Sequence, residues 1–171
     1  MKINALPIKV TEEEAIEIAK NGKGSVLSRI FLKYKKVHEV RLHYIEFKLV
    51  TIEIQQNKDN KANILKVLIN GSTGSGSIAQ DVVPISITSQ DVDEDIVQYS
   101  DKDDTKIRSK AIKMTMRITH KFMGKIPEIK IIKIDSIFRP YWVVFFDKVE
   151  KNKKVIYLPI EADGFKINKG F

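Results

Sequence analysis

The sequence predicts an α+β protein made of two similar units, each a helix laid over an antiparallel sheet in two layers. Three observations predict it: a capped amphipathic helix near the start, a longer one after residue 104, and an extended, alternating stretch behind each. The second half repeats this order of elements, so the chain reads as a pseudo-duplication. Its parts are a first repeat at 1–80, an acidic connector at 81–104 and a second repeat at 105–171.

The first helix is expected over 11–21. Thr11 and Glu14 have the spacing of a capping box, in which hydroxyl and carboxylate each serve an orphan amide. Val10 and Ala15 are placed as a hydrophobic staple, and Ala15, Ile18 and Ala19 form a narrow apolar stripe. Asn21–Gly22 supplies the stop. Residues 37–54 alternate apolar and polar over much of their length, which is the period of a strand. QQNKDNKAN is a polar turn, and ILKVLIN returns as a second strand that runs into the glycine-rich INGSTGSGSIAQD.

Residues 78–104 connect the halves. Pro84 breaks regularity, and DVDEDIVQYSDKDD has room for one short helix. The second helix is expected over 105–123, with Asp103, Asp104 or Thr105 at its N-cap. Ile107, Ala111, Met114, Ile118 and Phe122 fall on one face of a 3.6-residue period. Lys106, Lys110, Lys113, Arg117 and Lys121 follow the same spacing on a neighbouring face. Gly124 and Pro127 end the helix. Strands return at EIKIIKIDSIFRPYWVVFF and VIYLPI, followed by EADGFKINKG.

Placing Tyr44 on Tyr141, 97 positions on, lays YKKVHEVRLHYIEFKLV over IIKIDSIFRPYWVVFFD without a gap. The same shift carries the first helix into the second. Beyond the strand the first copy has a longer polar turn, and Gly74 then falls on Gly164. VTEEEAIEIAK, the strand Tyr44–Leu49, and ILKVLINGSTGSGSI together resemble the PepSY-like domains, which join a capped, Ala-rich helix to a strand and a closing hairpin. Ile160–Glu161–Ala162–Asp163–Gly164 is a looser match, and Asn70 stands where the pattern has an acid. The resemblance implies a PepSY/cystatin-like two-layer unit and a non-catalytic module that binds or restrains a protein partner, often at the cell envelope.

With 30 Lys and Arg against 22 Asp and Glu, net charge is +8. This permits anionic partners and equally keeps a partnerless protein soluble. The charge is polarised. Residues 91–104 hold seven acids and one lysine, whereas 105–171 hold sixteen basic residues and six acids. The absence of cysteine excludes disulfides and zinc–thiolate sites. MKINALPIKVTEEE has no apolar signal core, and no apolar run approaches the roughly 20 residues of a membrane helix. The expected location is cytoplasmic for a full-length chain and the cell envelope for a trimmed domain.

Chemical motifs fail on inspection. Gly71 and Gly76 have P-loop spacing, but the lysine position is Ser77. Gly74, Gly76 and Ala79 match the dinucleotide letters, but QDVVPISIT cannot open a helix. The glycine stretch therefore reads as a turn. Asp91, Asp93 and Asp95 begin an EF-hand pattern that lacks its glycine, at Ile96, and its bidentate acid, at Lys102. His38 and His43 lie five apart on a strand and face opposite sides, and His120 sits near a helix C-terminus. No catalytic set, cofactor or metal site is expected.

Two surfaces remain. The basic face of the second helix reads first as a solvated face and second as a contact for phosphates or anionic headgroups. The strand IFRPYWVVFF carries Phe138, Trp142, Val144 and Phe146 on one side and Tyr141, Val143 and Phe145 on the other. It is expected to be covered on both sides, as core or as a homodimer interface through Phe138, Tyr141, Trp142 and Phe145. Pro140 implies an edge or a bulge. The leading function is a binding module for a protein partner. The alternative is a binder of nucleic acid or anionic membrane through the basic helix 105–123.

Overall fold

The computed structural model describes residues 1–21, 35–55, 62–79, 87–123 and 127–165, without the side chains of 121–123. Gly22, Pro84, Gly124, most of the polar turn after Gln55, and the end of the chain after Phe165 lie outside the described residues, as does the side chain of Lys121. The described chain is α+β: one mixed eight-stranded sheet and two α-helices.

In chain order the elements are β1 (Lys2–Ala5), α1 (Glu12–Asn21), β2 (Glu39–Gln55), β3 (Ala62–Asn70), β4 (Gly76–Ile78), β5 (Thr88–Asp91), a 3₁₀ turn (Glu94–Ile96), β6 (Val97–Gln98), α2 (Asp104–Met123), β7 (Glu128–Phe145) and β8 (Tyr157–Glu161). The sheet order is β4-β3-β2-β7-β1-β5; β6 adds to β2 in parallel and β8 adds to β7. Its spine is the antiparallel ribbon of β2 and β7, paired from Glu39↔Phe145 to Gln55↔Glu128. A register shift opposite Thr51 and Ile52 leaves Ile132 as the extra residue of a bulge, 51% exposed.

The capping box forms as the spacing requires: Thr11 N–H donates to Glu14 Oε2 at 2.8 Å and Glu14 N–H to Thr11 Oγ1 at 3.2 Å. Asp103 caps α2, its Oδ1 accepting the Lys106 amide at 2.8 Å. Ala15 and Ala19 are fully buried, but Ile18 stays 38% exposed. The i, i+4 alanines alone face the sheet, and their small side chains let the helix approach closely.

The helices sit over strands that sequence order does not suggest. A helix would be expected to cover the hairpin that follows it. Instead α1 packs on β7 and β8, with Ala15 and Ala19 against Val144, Phe146 and Ile160. The other helix, α2, packs on β3, β2 and the start of β7, with Ile107, Ala111 and Met114 against Val50, Ile52, Ile54, Leu65, Val67 and Ile69, and with Ile129, Ile131 and Ile134 beside them. The two segments thus exchange helices over one shared sheet. Both helices lie on the same face, because Val40, Val50, Ile52 and Ile54 are all even-numbered residues of β2. Between them Ile3, Ala5, Tyr44 and Phe138 form a bridging cluster.

The acidic connector builds structure. Of its described residues, β5 pairs with β1 and β6 pairs with β2, and the expected short helix is the 3₁₀ turn. Pro140 lies neither on an edge strand nor at the bulge. It pairs with Tyr44 inside the ribbon, and on its other side its carbonyl accepts the Ala162 amide at 2.9 Å. That side is where β1 ends, at Phe138, and β8 begins, at Tyr141. A missing N–H costs the ladder nothing at such a junction.

Candidate functional site

The glycine-rich turn closes the β3–β4 hairpin. Asn70 Oδ1 accepts the amides of Ser72 (2.9 Å) and Thr73 (2.8 Å), and the Gly74 amide donates to the Asn70 carbonyl (2.9 Å). Gly74 has φ 71°, which glycine adopts without strain. Lys102 Nζ donates to the Ser72 carbonyl. The amides that a phosphate would need are already spent inside the turn.

Two of the glycines are there for space. A Cβ on Gly71 would stand 2.4 Å from Ser100 Cβ, and one on Gly76 would stand 2.6 Å from Met114 Sδ. Ser100 belongs to the segment that leads into α2. Its Oγ donates to the Gly71 carbonyl at 3.1 Å and its amide to Glu46 Oε2 at 2.7 Å. Burial alone would raise the pKa of Glu46, but hydrogen bonds from Lys48, Ser136 and Ser100 outweigh it and hold the carboxyl below its ordinary value. Gly71→Ala should therefore lower unfolding stability by about 1–3 kcal/mol. Adding Ser100→Gly should recover most of that loss in urea titration.

The most deeply buried charge is one that the sequence reading passed over. Arg139 and Asp163 form an ion pair with side chains 1% and 0% exposed. Nε reaches Oδ2 at 2.6 Å and Nη2 reaches Oδ1 at 2.9 Å; Nη2 also donates to the Phe165 carbonyl at 2.8 Å. Asp163 Oδ1 accepts the Phe165 amide at 3.0 Å, so the pair ties the turn after β8 to β7. The guanidinium lies 5.1 Å from the Phe47 ring and 5.6 Å from the Tyr141 ring, and Nη1 is buried without a hydrogen-bond partner among the described residues. A lone arginine between Phe138 and Pro140 in an apolar strand was the available signal, since a charge there needs a buried counter-ion.

Burial pushes the Tyr141 phenol up to about 12, opposed by the charge of Arg139 and helped by the Glu161 and Asp163 carboxylates. The unfolded chain ionises this group near 10, so the folded state holds its proton longer. The contribution of Tyr141 to stability should be flat below pH 10 and should fall by about 2–3 kcal/mol as pH rises from 10 through 12. Denaturant titrations of Tyr141→Phe should show a smaller fall.

The aromatic strand divides as its alternation suggests, but this chain itself covers much of it. Phe138 (6% exposed) and Tyr141 (8%) are core residues. Trp142 is half-buried under α1, its Nε1 donating to the Val10 carbonyl at 2.8 Å. Phe145 is different. It lies on the sheet face opposite α1, half-buried, with the Tyr157 ring 5.8 Å away and the Arg41 guanidinium 5.2 Å over it. Tyr157 is 57% exposed, and Val143 and Pro159 share this face. Glu39 holds Arg41 in place with bonds of 2.7 and 2.8 Å. The result is an open patch of rings with an oriented arginine.

On α2, Lys106, Lys113 and Arg117 are exposed and Lys110 is half-buried. Lys106 also pairs with Asp103 at 3.6 Å. His38 is exposed and His43 is half-buried, where burial lowers its pKa. Among the described residues no three His, Asp or Glu side chains stand close enough to hold a metal ion, and no helix is long and apolar enough to cross a membrane. Comparison with family models, with curated proteins and with solved structures gives no match.

Proposed function

We propose that the chain is a binding module of two related halves that docks a protein partner on the open patch around Phe145 and Tyr157. The patch around Phe145 supports this reading. Interface centres favour Tyr, Trp, Phe and Arg presented on a rigid base. Here Tyr157, Phe145 and Arg41 stand on adjacent strands of one sheet, with Val143 and Pro159 beside them.

The relation between the halves is part of the proposal. Helix, long strand, returning strand and glycine turn follow in that order in each half, as the PepSY-like resemblance implies. Gly74 and Gly164 close the two turns with nearly equal φ, 71° and 73°. Each helix also reaches the other half's hairpin, α1 resting on β7 and β8 and α2 on β2 and β3 as well as on β7, which a two-fold relation between the halves would favour.

The test is retention of a protein from extracts of cells that carry the chain, comparing the native protein with Tyr157→Glu. Tyr157 is exposed, so the variant should keep its melting temperature and lose at least about tenfold of the retained partner. Tyr157→Phe should retain it. If the native chain holds nothing that Tyr157→Glu fails to hold, the reading is wrong.

A further inference from the structure

The two helices carry opposite charge. In α1, four glutamates stand against Lys20, a net of −3. In α2, six Lys and Arg stand against Asp104, a net of +5. Both lie on one face of the sheet, at opposite ends of the ribbon. From Val40 under α1 to Ile52 under α2 is 12 residues, about 40 Å of strand. That is several Debye lengths at physiological salt, so the helices do not neutralise each other within one chain.

Each helix also leaves apolar groups uncovered beside its charges. On α2, Ile112 (36% exposed) and Met116 (41%) sit one turn apart, next to Lys113 and Arg117. Two grooves flank α1. One, of about 470 Å³, is lined by Val10 and Ile18 together with Glu14, Glu17, Asn21 and one cation, Lys9. The other, of about 360 Å³, is lined by Ile16 with Glu13, Glu17 and Lys20. Apolar ridges edged by cations are thus complementary to apolar grooves edged by two carboxylates to each lysine.

We infer that a second copy of this chain covers this face, in a two-fold dimer that seats α2 of each copy on α1 of the other. A two-fold contact needs a patch and its complement on the same surface, and then repeats the contact twice and closes. An anionic membrane or a nucleic acid would meet the cations of α2 equally well. It would also meet the carboxylates of α1 on the same face, and nothing in it would use the α1 grooves. The inference concerns the face opposite the Phe145 patch, so it and the partner reading can fail separately.

The test is charge reversal, read by sedimentation equilibrium. The native chain should be dimeric at about 50 mM salt, with affinity falling at least about tenfold at about 500 mM. Lys113→Glu with Arg117→Glu should give a monomer, and so should Glu13→Lys with Glu17→Lys. Mixed one to one, these two monomers should form a dimer, because each then offers what the other lacks. Circular dichroism checks the fold, and where a reversed pair lowers the melting temperature, Gln at the same positions replaces it. A native chain that stays monomeric at low salt overturns the inference, as does a mixture that fails to associate. So does a monomer that binds anionic vesicles or RNA through Lys113 and Arg117.

Discussion

Asp163→Ala should cost about 3–5 kcal/mol of unfolding free energy, the loss typical when one partner of a buried ion pair is removed. Arg139 would keep its buried charge beside the Phe47 and Tyr141 rings, with the Phe165 carbonyl as its one remaining acceptor among the described residues. The penalty is that of an uncompensated buried cation, not the worth of the pair. Arg139→Met combined with Asp163→Asn should therefore cost less than Asp163→Ala alone. Methionine removes the charge and fills an apolar site, and asparagine can still accept the Phe165 amide. Denaturant titration of the three variants checks this. A double variant less stable than Asp163→Ala would mean that the pair itself is favourable there.

Ile107→Ala should destabilise by about 2–5 kcal/mol, the range for emptying a well-packed aliphatic site. Ile107 is fully buried among Val50, Ile52, Leu65, Val67 and Ile69, in strands more than 35 residues earlier in the chain. Because α2 rests on those strands, Ile107→Ala and Ile52→Val should not add. A double-mutant cycle should show a coupling of at least about 0.5 kcal/mol. Ile107→Ala paired with Ile160→Val, which lies under α1, should be additive.

The local elements were legible because their causes are local. The capping box spans four residues, and the periodicities of β2 and α2 span one element each. The alternation of the aromatic strand placed Phe138 and Trp142 opposite Tyr141 and Phe145 correctly. What a period cannot say is which surface a buried face meets, and so the exchange of helices was invisible. The same limit hid the role of the connector: β5 and β6 have 4 and 2 residues, too short to show a period.

At the candidate sites the difficulty was of another kind. Arg139 finds its counter-ion 24 positions away, across a loop and a strand. Of the four aromatics expected at an interface, alternation could not tell that Phe138 and Tyr141 are covered by this chain. It could not tell either that Phe145 gains its exposure by lying opposite α1. Gly71 and Gly76 of the serine- and glycine-rich turn are explained by two distant neighbours, Ser100 near the end of the connector and Met114 beyond it.

The reciprocal placement of the helices underlies both the proposed relation between the halves and the proposed dimer. Methyl NOEs on a protein labelled at Ala, Ile and Val test it directly. The placement predicts cross-peaks from Ala15 and Ala19 to Val144 and Ile160, and from Ile107 and Ala111 to Ile52 and Val67. Cross-peaks from Ala15 and Ala19 to Ile52 and Val67 instead would contradict it.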